Sequence, residues 1–319
     1  MIIVTGAAGF IGRFVAERLL DRGEEVVGVD NFNTYYDPAL KEARVAALAG
    51  RPGFRLERMD IADAEAMAAL VRGSGARRVV HLGAQAGVRW DNPFAYERSN
   101  LAGHLSVLEA CRHAPDFEHL VYASSSSVYG DRTADGAFRE DDPLDPPVSL
   151  YAATKRADEL MSGTYGHLYG MRQTGLRFFT VYGPWGRPDM AYFLFTRKIL
   201  GGEPIEVFGE GRMARDFTYI DDIVDGVVGS LDLPPAAGEN RILNIGDSRP
   251  IGLMRMIEIL EEVLGRKAER LMRPMQPGDV TSTFADVSRL NALTGYEPKV
   301  KLEEGLARFA DWYRSYYRA

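Results

Sequence analysis

Apolar residues in the first half of the chain follow two rhythms. Short runs rich in Val and Ile occupy Ile2–Thr5, Val26–Asp30, 54–60, 77–84, 120–124 and 175–179. Between them lie stretches such as 12–22 and 62–72, where apolar residues recur near every third or fourth position. Continuous apolar runs suit strands covered on both faces, and the longer period suits amphipathic helices. Their alternation predicts βαβ units with right-handed crossovers, hence an α/β fold built on a doubly wound parallel sheet. After position 179 the rhythm breaks. Tyr182-Gly183-Pro184-Trp185-Gly186-Arg187-Pro188 reads as a loop, and short strands (Ile205–Phe208, 242–245) mix with helices. The pattern predicts a first domain over 1–179, with 216–246 returning to it. A smaller α/β substrate-binding domain is expected from 180–215 and 247–319.

The 319 residues suffice for about two domains of roughly 100–200 residues each. Lys and Arg number 38 against 45 Asp and Glu, a balance of −7 that disfavours a nucleic-acid partner. No apolar stretch approaches the roughly 20 residues of a membrane span, and no secretory signal is legible. A cytoplasmic protein with no membrane partner is therefore expected. The single cysteine, Cys111, excludes an internal disulfide framework and any multi-thiolate metal site. His and carboxylate residues show no metal-ligand spacing, so no metal is expected.

Three groups of residues carry candidate chemistry. Gly6, Gly9 and Gly12 join the first strand to the first helix in a G-x-x-G-x-x-G spacing. Glycines there let backbone N–H groups reach a pyrophosphate at a helix N-terminus, and Gly12 allows close packing of helix on strand. Asp30 ends the second strand, where a carboxylate accepts from ribose hydroxyls and repels a 2′-phosphate, which favours NAD over NADP. Asp60 follows the third strand, either near an adenine or as a helix cap. Tyr151 and Lys155 stand four apart at the start of a helical pattern and share one face. An ammonium beside a phenol favours the phenolate and makes Tyr151 a usable base. Ser125, Ser126 and Ser127 follow the fifth strand, at the end that faces the ligand crevice in such sheets.

The glycine loop, the strand-end serines and the Tyr151/Lys155 pair together resemble the extended short-chain dehydrogenase/reductase family over essentially the whole chain. A narrower likeness, to the nucleotide-sugar epimerases and among them the bacterial UDP-glucuronate 4-epimerases, rests on four segments. These are Asp30-Asn31-Phe32-Asn33-Thr34-Tyr35-Tyr36-Asp37 with Leu40-Lys41-Glu42-Ala43-Arg44, Gln85-Ala86-Gly87-Val88-Arg89, the stretch from Phe178 to Met190, and Arg215-Asp216-Phe217-Thr218-Tyr219-Ile220-Asp221-Asp222. The resemblance implies a Rossmann domain that holds NAD tightly and regenerates it each cycle. Phe10, Ile11, Asn31, Ile61, Leu82 and Ala84 would line that cofactor. It implies a UDP-sugar substrate whose O4 proton goes to Tyr151, with Lys155 on the phenolate and the nicotinamide ribose and Ser125–127 around O4. Arg215 and Arg273 are then expected on the diphosphate and Asp279 on the uridine ribose. It also implies a homodimer packed through the helix bearing Tyr151 and the helix before it.

Related dehydratases carry Asp-Glu, and related decarboxylases Glu, where this chain has Ser126 and Ser127. That difference favours 4-epimerisation of UDP-glucuronate to UDP-galacturonate through a 4-keto sugar. Such a β-keto acid loses CO₂ easily unless its carboxylate is held out of alignment. Arg187, gripping it bidentately with Thr180 as a second donor, is the candidate, and Arg89 is another. Other readings stay open: epimerisation of neutral UDP-hexoses, decarboxylation of UDP-glucuronate, or an NAD-binding sensor or scaffold without catalysis.

Overall fold

The Val- and Ile-rich runs at the centre of the sheet become strands because they are covered on both faces, as the unbroken burial of the first two demonstrates; the edge run at Phe54–Arg58 is only partly buried. The structure, a computed structural model, describes residues 1–88, 92–131, 136–275 and 282–318. In its first part β1 (Ile2–Thr5), α1 (Phe10–Asp21), β2 (Val26–Asp30), α2 (Pro38–Ala46), β3 (Phe54–Arg58), α3 (Ala64–Ser74) and β4 (Arg78–His81) succeed one another. Then come α4 (Pro93–Tyr96), a π-helical turn over Glu97–Ala102, α5 (Gly103–Arg112), β5 (His119–Ser125), α6 (Leu150–Tyr169) and β6 (Gln173–Phe178). The rest comprises β7 (Thr180–Tyr182), α7 (Ala191–Gly201), β8 (Ile205–Phe208), β9 (Ala214–Tyr219), α8 (Ile220–Asp232) and β10 (Asn240–Ile245). It closes with β11 (Pro250–Gly252), α9 (Leu253–Leu264), β12 (Arg270–Arg273), β13 (Ser282–Thr283), α10 (Ser288–Thr294) and α11 (Leu302–Tyr317).

Seven parallel strands form the large sheet in the order β10-β6-β5-β4-β1-β2-β3. The order reverses between β1 and β4, and in open α/β sheets that switch point is where ligands bind, beyond the carboxyl ends of the strands. The expected α/β class with a doubly wound parallel sheet is the fold observed. The return from the second part differs in detail from the expected 216–246. Asp216 to Tyr219 lie in β9, which pairs with β7, β11 and β13 in a separate small sheet. It is β10 that adds to the large sheet, while α8 packs on α1, where Arg22 and Asp232 meet at 2.8 Å. The strand prediction over 77–84 was too long: β4 stops at His81, because residues 82–88 leave the sheet to line a cavity.

Two buried carboxylates fasten loops of the later part of the chain to β9 and α8. Asp216 accepts backbone N–H groups of Asp247 (2.6 Å), Ser248 (3.0 Å) and Ala285 (2.9 Å). Asp222, in the first turn of α8, accepts those of Lys299 (3.0 Å) and Val300 (3.1 Å). Each satisfies amides that burial would otherwise strand. Among the described residues no helix is long and apolar enough to cross a membrane.

The core also holds a histidine that must stay neutral. Fully buried His119 donates through Nδ1 to the Leu231 carbonyl (3.1 Å), and its Nε2 accepts from the Thr174 hydroxyl (2.9 Å). Burial lowers its pKa to about 4. An unfolded histidine titrates near ~6.5, so the unfolded chain takes up a proton that the folded protein refuses. The stability this group contributes is complete above that value and declines as pH falls toward 4. Unfolding free energy, measured in urea at pH 7, 6 and 5, should therefore fall with pH. His119→Gln should flatten the fall by up to about 1.4 kcal/mol per pH unit; parallel slopes would refute the assignment.

Candidate active site

A cavity of about 630 Å³ opens at the switch point. Gly6, Gly9, Phe10, Ile11, Gly12, Asp30, Asn31, Ile61, Leu82 and Ala84 line one end. Gly6 is at φ 71°, where a side chain would be strained, and a Cβ there would lie 2.9 Å from the Leu82 carbonyl. A Cβ on Gly9 would come within 2.8 Å of the Gly6 carbonyl oxygen and one on Gly12 within 2.1 Å of it. Gly12 thus serves the loop's own closure rather than packing of helix on strand. No side chain caps the N-terminus of α1 at Gly9, so its first amides face the cradle uncapped. Asp30 is buried; its two oxygens accept from Ala8 N (3.1 Å) and Phe32 N (2.8 Å), which orients it. Bare glycine backbone, a helix N-terminus and an oriented strand-end carboxylate fit a dinucleotide with free ribose hydroxyls. Asp60 is engaged otherwise: it accepts from Ala62 N (2.9 Å) and Arg98 Nε (2.9 Å), and the cap of α3 is Asp63.

At the middle of the cavity Ser149 caps α6 through Ala152 N (3.1 Å), so Tyr151 falls in the first helical turn, on the wall. Lys155, one turn on, is buried on the same wall; its ammonium donates to the Ala123 carbonyl (3.0 Å) and to Asp158 (3.0 Å). Ser125, Ser126 and Ser127 line the opposite edge. Ser125 Oγ accepts from Ser127 N (3.1 Å) and meets Ser127 Oγ at 3.0 Å, which shapes the turn after β5. Ser124 points away, to Glu159 at 2.6 Å. Buried Asn100, in the π-helical turn, bonds Gln85 N (2.8 Å), the Gln85 carbonyl (3.2 Å) and Thr154 (2.9 Å), tying the loop after β4 to α6. Interrupted helices of this kind recur at functional sites.

Thr180, Arg187 and Arg215 line the far end. Arg187 faces Asp189: Nε reaches Oδ1 at 3.1 Å and Nη2 reaches Oδ2. Tyr35, from the loop after β2, donates to the same Asp189 oxygen at 3.0 Å. Burial, then the Asp189 charge, raise the Tyr35 phenol above its ordinary range, so it stays a donor. The edge of Arg187 formed by Nε and Nη2 is thus closed by a protein carboxylate. A bidentate grip on a ligand falls to the Nη1–Nη2 edge, since a guanidinium has two such edges. Arg187 and Tyr151 line the same cavity. Beyond lies a second, more apolar cavity of about 290 Å³ that shares Thr180, Asp189 and Arg215 with the first. Arg273 does not reach either lining; on β12 it pairs with Glu206 at 3.1 Å. Arg89 and Asp279 lie outside the described residues.

Three contributors escaped sequence reasoning. Tyr35 and Asp189 are 154 positions apart and carry no local signature of pairing. Arg44 is fully buried on α2, and its five N–H groups end on the Trp185 carbonyl (twice), the Gly186 and Ala8 carbonyls and the Tyr36 hydroxyl. One guanidinium therefore clamps the glycine loop to the loop that carries Arg187. The only hint in the sequence was its place in an unusually aromatic and charged stretch.

The family model described as the NAD dependent epimerase/dehydratase family matches residues 2–246. The chain is 48% identical over 332 residues to UDP-glucuronate 4-epimerase 3 of Arabidopsis thaliana, covering 99% of this chain and 77% of that one. It is 46% identical over 336 residues to a probable UDP-glucuronate 4-epimerase of Rhizobium meliloti, covering 99% and 97%. Its fold superposes, with a TM-score of 0.92 and 35% identity over 99% of both chains, on the UDP-glucuronic acid 4-epimerase of Bacillus cereus crystallised with UDP-glucuronic acid and NAD.

Replacing Arg44 by Lys keeps the charge but not the fork. The variant should unfold about 2–3 kcal/mol more easily, because carbonyls that accepted charged donors lose them in a buried setting. Thermal unfolding checks this, and a loss below about 0.5 kcal/mol, typical of a surface change, would mean the clamp is dispensable.

Proposed function

The chain belongs to the NAD dependent epimerase/dehydratase family, and we propose that within it the protein is a UDP-glucuronate 4-epimerase, forming UDP-galacturonate through a transient 4-keto sugar. The observation that carries this reading is Arg187, a cation held in the same cavity as Tyr151, beside a strand end that bears serines and no acid. Relatives of that activity, at 46–49% identity over nearly the whole chain, support it.

Asp30 and the glycine loop hold the dinucleotide, together with Phe10, Ile11, Asn31, Ile61, Leu82 and Ala84 around its rings and ribose. When bound, NAD accepts hydride from the sugar C4 and gives it back to the opposite face. Tyr151 takes the O4 proton in the first half-reaction and returns it in the second, after the sugar has turned about its diphosphate link. Lys155 stabilises the phenolate between these events. Ser125, Ser126 and Ser127 keep O4 beside Tyr151. Arg187, through its Nη1–Nη2 edge, and Thr180 hold the C5 carboxylate out of the perpendicular alignment from which a β-keto acid loses CO₂. Arg215, shared by both cavities, meets the diphosphate; Arg273 would have to leave Glu206 to join it.

One observation favours a second reading, epimerisation of neutral UDP-hexoses: Asp189 already neutralises much of Arg187. Proton NMR of the purified protein with UDP-glucuronate, and separately with UDP-glucose, decides between them. A stable mixture of UDP-glucuronate and UDP-galacturonate is expected without added NAD, and turnover of UDP-glucose alone would refute the uronate assignment. Arg187→Ala should raise KM for UDP-glucuronate at least tenfold, about 1.4 kcal/mol; an unchanged KM would remove Arg187 from substrate binding.

We propose further that the enzyme is a homodimer joined through α5 and α6. These helices pack side by side and expose Leu105, Leu160, Leu168 and Tyr169 to solvent in the single chain, with Phe94 close by in sequence on α4. Light scattering should give twice the 35.4 kDa chain mass, and Leu160→Asp should shift it toward the monomer. A wild-type monomer would overturn this assembly.

A further inference from the structure

Lys155 has a partner that its chemistry does not require. Asp158 lies three residues along α6, within the core, and its Oδ2 accepts from the Lys155 ammonium at 3.0 Å. Its other oxygen, Oδ1, is buried with no hydrogen-bond partner among the described residues. A neutral amide would make the same bond to Lys155 at far lower desolvation cost, since burying a carboxylate is expensive. The negative charge therefore calls for an explanation.

The neighbouring anion, Glu159, is already matched by cations. Glu159, the next residue, is held by Arg177 from β6 at 2.8 and 2.9 Å, with Arg156 at 3.4 Å. From α5, His104 bonds Ser162 at 2.9 Å, and His81 of β4 stacks on it at 5.3 Å. Burial keeps both imidazoles neutral, taking His81 to about 3. Tyr122 of β5 is likewise kept protonated by burial. Tyr96 of α4 stands against Tyr151, at 6.3 Å between rings, and Arg187, in the loop after β7, lines the same cavity as Tyr151. Burial lifts the Asp158 carboxyl to about 6, which leaves it ionised at neutral pH. The local charges are thus Lys155, Asp158, the Arg177–Glu159 pair with Arg156, and the Arg187–Asp189 pair.

A base that must also return its proton works best with a pKa near the working pH. An unopposed Lys155 beside a positive nicotinamide would make the Tyr151 phenol too acidic, and its phenolate too weak a base. We propose that Asp158 is the positioning counter-ion of the Tyr151–Lys155 pair. With the Ala123 carbonyl it aims two of the three ammonium N–H groups and leaves the third for a ribose hydroxyl. Its charge offsets part of the lysine's pull on Tyr151, so that the phenol both takes and returns a proton near neutral pH. This rests on the acid–base role given to Tyr151 above.

The test is an ultraviolet titration of tyrosinate in NAD-loaded protein, with the Tyr151→Phe spectrum subtracted, in wild type, Asp158→Asn and Asp158→Glu. In Asp158→Asn the Tyr151 transition should move down by roughly half a pH unit or more, because one nearby negative charge is gone. The acidic limb of kcat/KM should move with it. Asp158→Glu should restore the wild-type position. An unmoved or raised transition in Asp158→Asn would overturn the proposal, since a merely structural loss does not lower it. If the Asn variant fails to fold, Asp158→Ser, smaller and equally neutral, reads the same shift. Absence of nucleotide-sugar turnover by wild type would count against the function proposed above, while the titration would still decide the part played by Asp158.

Discussion

The arrangement turns on a buried arginine that no carboxylate among the described residues pairs with. All five N–H groups of Arg44 are spent on three backbone carbonyls and one phenol. Carbonyl dipoles replace water around the charge, and they do so only while the glycine loop and the Trp185–Gly186 turn stay at the right separation. Trp185 sits at φ 63°, a conformation costly for an aromatic residue, and its carbonyl is the one that Arg44 engages twice. Trp312 and Tyr316 of α11 close over the same indole, each 5.2 Å from it between rings. The cofactor end and the sugar end of the cavity are therefore a single rigid object, held at a fixed distance by one side chain.

The small sheet is fixed by the opposite device, anions that collect amides. Asp216 and Asp222 belong to a segment whose likeness to nucleotide-sugar epimerases is unusually specific, yet neither is a ligand group. Each organises loops that arrive from far along the chain. A specific sequence pattern here marks the cost of leaving backbone groups unpaired in a dry interior, not chemistry.

Two cations of the cavity have a nearby acid in sequence, Asp189 two residues after Arg187 and Asp158 three after Lys155. Ligands thus meet charges already aimed, and the entropy of ordering long side chains is paid during folding. The two pairs differ in setting. Arg187 keeps a second bidentate edge, so a further carboxylate can join without displacing Asp189. Lys155 has three donors and two protein acceptors, which leaves room for one hydroxyl.

Local patterns sufficed for what local physics controls. Alternating burial periods yield the parallel sheet and its helices, because covering both faces of a strand constrains its own residues. The glycine spacing, the strand-end Asp30 and the Tyr151/Lys155 interval were legible because one turn of backbone sets each geometry. What no pattern announced depends on separation in sequence. Arg44 meets Trp185 across 141 positions and Tyr35 meets Asp189 across 154. Arg273, read as a substrate cation, turns instead to Glu206 on a neighbouring strand. Which edge of Arg187 stays open was likewise settled by Asp189 and Tyr35 together. The chain's own periodicity chose the scaffold, and its motifs supplied the candidate reactive residues. Tertiary packing alone decided which charges they face, because a charge is oriented by partners that only the folded chain brings within reach.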